Sequence, residues 1–178
     1  MNPLIYALIC FTLVLGTFTT LISSHWLMAW MGLEMNMFAM IPLIMLKHSP
    51  RSIEAATKYF LIQASASMLL LFAATLNFMN SGQWSISVMS EPLITTIIVI
   101  SMLMKLGMAP FHAWLPEVIQ GSPLMSGMII LTWQKVAPLS ILTHMFPYVN
   151  NSFIITMSII SIVIGGLGGL NQTQMRKI

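Results

Sequence analysis

Long stretches without a charge constrain this chain more than anything else in it. Residues 1–33 contain no Asp, Glu, Lys or Arg, and neither do 59–90, 118–134 or 136–175. A helix needs about 20 apolar residues to cross a bilayer. Several of these stretches are long enough, and two can hold more than one crossing. Charged residues make up 6% of the 178 and hydrophobic ones 57%, whereas a soluble domain is roughly a quarter charged. Those proportions exclude a soluble globular domain, a disordered chain and a nucleic-acid-binding module. An outer-membrane barrel needs short alternating segments, and the chain lacks them. The expected fold class is therefore all-α: a polytopic membrane protein of about six transmembrane helices.

The single cysteine, Cys10, can form no internal disulfide and reads as a small core residue. Met1-Asn2-Pro3 lacks the basic start of a secretory signal, and no Arg-rich transit peptide follows. Both observations fit synthesis close to the chain's own membrane. Eighteen methionines read as apolar filler in helices.

The crossings are placed at about 4–22, 25–46, 53–78, 92–108, 123–146 and 153–170. Ser49-Pro50 and Ser122-Pro123 are helix-start signals, a cap residue followed by proline at the first helical position. The stretch 108–121 is expected to be irregular. The loop 80–90 is polar, with Trp84 at an interface-like position, and His25, Trp26 and Trp30 read as an interface belt. With six crossings, Lys47, Arg51, Lys58, Arg176 and Lys177 share one side, while the loops of the other carry only Glu91. That bias turns the termini toward the cytoplasm-equivalent compartment. Glu54 with Lys58, and Arg51 with Glu54, are at helical spacing and read as a solvated extension of the third helix.

Three charges remain inside spans. Glu34 is nine residues past His25, Lys105 thirteen past Pro92, and Lys135 twelve past Pro123. At about 1.5 Å per residue each lies roughly 14–20 Å into its helix, near the middle of a core about 30 Å thick. A charge there costs about 2.5–3.5 kcal/mol or more. One reading is a buried Glu–Lys pair that only orders the bundle, with the second lysine neutral. The other is a proton relay: burial favours the neutral form of such groups and a nearby opposite charge favours the ionised one. A site where the two effects nearly balance changes protonation when a neighbour moves.

Prolines fall beside these residues. Pro42, Pro110 and Pro138 would free the carbonyls of Phe38, Leu106 and Gln134, and Pro116 that of His112. Interrupted helices at membrane depth commonly line ion pathways. His112, in the broken stretch, can pass a proton between lysines or simply bond a freed carbonyl. Glu117 reads as a surface cap. His48 and His144 read as solvated, and no spacing resembles a metal site. Gly165 and Gly169 form a small-xxx-small pair suited to close helix packing, with no preceding strand to suggest a nucleotide loop.

These residues also carry a resemblance. The run from Met104-Lys105 through Pro110-Phe111-His112-Ala113-Trp114 to Pro116-Glu117-Val118 resembles the broken helix of antiporter-like subunits. Leu131-Thr132-Trp133-Gln134-Lys135 resembles the helix after it. Together with Ser23-Ser24-His25-Trp26, Gly32-Leu33-Glu34-Met35-Asn36-Met37 and Gly168-Gly169-Leu170-Asn171-Gln172-Thr173-Gln174, they resemble the antiporter-like membrane subunits of mitochondrial NADH–ubiquinone oxidoreductase, respiratory complex I. The resemblance covers the whole chain.

It implies a multi-pass subunit of the proton-pumping membrane arm, in the mitochondrial inner membrane with its N-terminus facing the matrix. Partners would be other membrane-arm subunits and lipid, with no nucleic acid. Lys105 would be the broken-helix lysine and Glu34 the glutamate that neighbours it. Lys135 would be the lysine of the next helix, and His112 the connecting histidine. No cofactor is expected in this chain: NADH, FMN, iron–sulfur clusters and ubiquinone would belong to partner subunits. Residues 1–146 would form one five-helix repeat, and 147–178 the first helix of a second, incomplete one, so the sequence reads as a fragment or a shortened subunit. A cation/proton antiporter subunit, and a structural subunit with inert buried charges, are the alternatives.

Overall fold

The computed structural model describes residues 3–46 and 48–170. Lys47, Arg176 and Lys177, three of the basic residues behind the expected orientation, lie outside the described residues, as does the 171–174 end of the last motif. Everything described is helix, turn or connecting chain, with one isolated bridge between His25 and Ser85. The helices are α1 Pro3–Ile22, α2 Trp26–Ile44, α3 Pro50–Ser81, α4 Pro92–Leu106, α5 Trp114–Gly121, α6 Leu124–Leu131, α7 Trp133–Met145 and α8 Asn151–Leu170. Among the described residues, five segments are long and apolar enough to cross a membrane: α1, α2, α3, the α6–α7 run from Leu124 to Tyr148, and α8. The fold is thus an all-α polytopic membrane protein.

Local chemistry sets the helix ends. Ser49 caps α3 in a reciprocal pair with Ser52: the Ser52 amide donates to Ser49 Oγ at 3.2 Å, and the Ser49 amide to Ser52 Oγ at 3.0 Å. Pro50 follows at the first helical position. Gly82 closes α3 with φ 71°, its amide donating to the Phe78 carbonyl. His25 caps α2 by accepting from the Leu27 amide, and its ring stacks on Trp84 at 5.9 Å. The 82–91 loop is thereby held on the α1–α2 turn, with the Trp26 amide bonded to Trp84 O and the Ile86 amide to Ser24 O.

Three local expectations are corrected. Ser122-Pro123 does not act as a capped start: α6 begins at Leu124, and Ser122 Oγ bonds back to the Ile119 carbonyl. The 108–121 stretch is not irregular throughout, because α5 occupies its second half. The fifth crossing is not one helix. It is interrupted at Thr132, a single turn residue with φ −111° and ψ −71° between α6 and α7, which together still make one span.

Packing brings α3 against α2, α4 and α5, and α7 against α4, α1 and α6. α1 and α2 meet at two glycines. A Cβ on Gly16 would stand 2.9 Å from the Gly32 carbonyl, and one on Gly32 would stand 2.8 Å from the Gly16 carbonyl. Small residues at a helix crossing let backbones approach this closely. Two apolar clusters result. One gathers Trp26, Leu70, Ile98, Met102 and Ile141, the other Met40, Leu43, Tyr59, Trp114 and Val118. Trp26 is therefore core and not interface belt, at 1% exposure. Outward faces are apolar, as with Leu4, Leu8 and Phe11 on α1, and suit a lipid environment. α8 has no buried residue, and its Gly165 and Gly169 face open space among the described residues. The close packing expected there has no partner among them. Cys10 is half-buried.

Candidate functional site

The site begins with a helix that stops early. α4 has 15 residues, a rise of about 22 Å, too short to cross a core of about 30 Å. Gly107 ends it with φ 68°, a conformation costly for any residue with a Cβ. Pro110 lies beyond that end, so glycine and not proline terminates the helix. Lys105 sits in α4's last turn, 7% exposed. The negative end of the helix dipole favours a cation there.

Lys105 and Lys135 line one cavity of about 10 Å³, together with Asn36, Tyr59, Gln63 and Gln134. That volume is near the least that holds a single water. The cavity falls at the boundary between the two apolar clusters: Leu33 and Ala137 come from one, Met37, Tyr59, Trp114 and Ile130 from the other. Three neutral amides organise it. Gln63 Nε2 donates to the Lys105 carbonyl at 3.4 Å, satisfying one of the last carbonyls of α4 from a neighbouring helix. Gln134 Nε2 donates to the Asn36 carbonyl at 3.3 Å, tying α7 to α2. Asn36 is 2% exposed, and neither its Oδ1 nor its Nδ2 has a protein partner. Leaving such a group unsatisfied costs about 1–3 kcal/mol, and the Asn36 side chain lies toward Gly16 of α1, whose added Cβ would stand 2.5 Å from its Oδ1. Ser126 Oγ, bonded to the Leu43 carbonyl at 2.6 Å, fixes α6 on α2 nearby.

Glu34 is half-buried one residue from the cavity-lining Leu33. No ion pair among the described residues joins it to Lys105. His112 is half-buried off the cavity, with an Nδ1 that has no partner. Its carbonyl is not freed, because it accepts from the Leu115 amide. Pro116 falls in the first turn of α5, where no helical hydrogen bond is lost. Glu117 is not a simple cap: it holds Lys58 at 2.7 Å, and Lys58 also holds Glu54 at 2.7 Å. No group of three or more His, Cys, Asp or Glu suited to a metal occurs among the described residues.

Asn36, Gln63 and Gln134 escape a search based on charge alone. The available signal was polarity at mid-span: Gln63 lies about 20 Å along α3 in an otherwise apolar run.

Comparisons with known proteins agree with this architecture. The family model for "NADH:quinone oxidoreductase/Mrp antiporter, TM" matches residues 23–178. NADH-ubiquinone oxidoreductase chain 2 of Oryzorictes hova is 63% identical over 178 residues, covering 100% of this chain and 51% of that one. The Bos taurus protein of that name is 56% identical with the same coverage. The chain thus spans about half the length of the curated relatives it matches. A chain of respiratory complex I from Thermus thermophilus, solved with bound aureothin, superposes with a TM-score of 0.90 at 26% identity, over 97% of this chain and 40% of that one. A chain of an archaeal membrane-bound sulfane sulfur reductase shares the fold, with a TM-score of 0.66 at 18% identity over 78% of this chain and 31% of its own.

Proposed function

The chain belongs to the NADH:quinone oxidoreductase/Mrp antiporter transmembrane family, and from that premise we propose that it serves in the membrane arm of a proton-pumping NADH:ubiquinone oxidoreductase. The observation that carries the proposal is the pairing of buried Lys105 with half-buried Lys135 on one water-sized cavity. A bundle that needed only packing would fill that space with apolar side chains, since mid-membrane charge is expensive.

In this reading Lys105 is the central proton-carrying site and Lys135 the group that exchanges protons with it through water in the cavity. Gln134, held by the Asn36 carbonyl, orients that water. Glu34, beside the cavity-lining Leu33, is the charge partner that modulates the pair. The cavity route is favoured over His112, which lies off it. The chain itself performs no redox chemistry, and the NADH, flavin, cluster and quinone sites belong to partner subunits. The relatives named NADH-ubiquinone oxidoreductase chain 2 and the apolar spans support a mitochondrial inner-membrane location. Arg51 and Lys58 support placing the start of α3, and with it the N-terminus, on the matrix side. The path lies within the helices α1 to α7, the proposed five-helix unit.

Lys105→Met tests the assignment. Protons moved per NADH oxidised should fall in membranes carrying the variant, or turnover should slow if coupling is strict. Normal stoichiometry at normal rate would overturn it. Ion exchange in vesicles without NADH would instead favour the antiporter reading, which the breadth of the family keeps in play.

A further inference from the structure

A second cavity opens at the surface where α3 begins. It measures about 330 Å³ and is lined by Arg51, Glu54, Ala55, Lys58 and Glu117 among others. The side chains of Glu54, Lys58 and Glu117 are 62%, 40% and 57% exposed, so this cleft is open to water. It holds two carboxylates, Glu54 and Glu117, bridged by the Lys58 ammonium.

One stripe of α3 runs from this cleft to the lysine cavity. Ala55, Tyr59 and Gln63 are at i, i+4 and i+8, and therefore lie one above another. Ala55 meets α5 at the cleft, where a Cβ on Gly121 would stand 2.5 Å from the Ala55 Cβ. Tyr59 packs edge-on against Trp114, with ring centroids 5.9 Å apart and planes at 60°. Gln63 bonds the Lys105 carbonyl. From Ala55 to Gln63 is about 12 Å. Between surface water and the lysine cavity this face is closed by the aromatic pair, with Tyr59 at 2% and Trp114 at 5% exposure, packed in one cluster with Ala55 and Val118. Both rings also line the inner cavity. Trp114 rests on the end of α4 as well: a Cβ on Gly107 would stand 3.2 Å from its Cζ2. Movement of the helix end that carries Lys105 would therefore displace the ring.

We propose that Tyr59 and Trp114 form a gate between the surface cleft and the lysine cavity, so that water and protons reach Lys105 along this face of α3 only when the rings part. The proposal rests on the proton-path reading above and adds where the path is closed.

Access to Gln63 from water tests it, in membranes containing the assembled complex. Gln63→Cys is treated with a small water-soluble thiol reagent, and labelling of this chain is followed by peptide mass. Ala73→Cys, on the same helix and fully buried, reports general loosening. With both rings native, Gln63→Cys should label slowly. Adding Trp114→Ala should speed it at least tenfold and leave Ala73→Cys unchanged. Tyr59→Leu opens the same gate if the tryptophan variant does not accumulate. An unchanged rate at Gln63→Cys, or an equal rise at both positions, would overturn the gate. So would labelling with native rings as fast as at the exposed Glu54→Cys, with no gate variant needed. Labelling requires neither NADH nor pumping, so failure of the gate is distinguishable from failure of the Lys105 assignment.

Discussion

Valine in place of Gly32 should separate α1 from α2, and the structure sets the scale. A Cβ at Gly32 would lie 2.5 Å from Thr19 Oγ1, 2.6 Å from Thr20 Cγ2 and 2.8 Å from the Gly16 carbonyl. The threonine side chains can rotate, but the carbonyl belongs to a helix backbone. Ordinary contact begins near 3.4 Å, so the helices must part by about 0.6 Å for the Cβ alone. A gap of about 0.5–1 Å forfeits a quarter to a half of the dispersion energy across a contact, and overpacking typically costs about 1–3 kcal/mol. Alanine recovers up to about 1 kcal/mol through helix propensity and valine recovers less. The expected net loss is about 0–2 kcal/mol for Gly32→Ala and about 2 kcal/mol or more for Gly32→Val. The two glycines press on each other's carbonyls, so one displacement relieves both. Gly16→Ala added to Gly32→Ala should therefore cost much less than it does alone, a coupling that a double-mutant cycle detects. Cys10 on α1 supplies the assay: its alkylation rate against temperature, in gently solubilised membranes, reports release of α1. An unchanged midpoint for Gly32→Val, or strict additivity of the two alanine variants, would refute the reasoning.

Two further outcomes follow from the helix ends. Gly107→Ala should destabilise by about 1–2 kcal/mol from its left-handed φ alone, with more from the Leu115 Cδ1 that a Cβ would meet at 2.8 Å. It should lower protons moved per NADH by displacing Lys105, measured alongside the thermal midpoint. Ser49→Ala removes the reciprocal cap of α3 and should cost about 1 kcal/mol, seen as a lower midpoint, while pumping at ambient temperature stays normal.

How much of this was legible beforehand depends on whether the cause was local. The apolar runs fix the helices because a bilayer admits few other backbones, and Ser49-Pro50 marks a start because cap and helix are neighbours in sequence. Lys105 and Lys135 stand out because a mid-span charge is costly wherever the helix packs. The Thr132 break has no comparable signal, lacking a glycine or proline at the break itself. Trp26 misleads because indole suits an interface and a core equally well. The Lys58–Glu117 contact spans 59 residues and depends on how α5 folds back on α3. Asn36, Gln63 and Gln134 carry no charge, so their meeting at one cavity appears only once α2, α3, α4 and α7 are assembled.

The central claim is that Lys105 and Lys135 act in series through one cavity. Protons moved per NADH should be measured in the intact complex for Lys105→Met, Lys135→Met and the two together. Each single variant is expected to lower the ratio, and the pair should lower it no further than the more severe single variant. Additive losses would mean two independent paths, and a normal ratio in the double variant would mean that this cavity carries no protons.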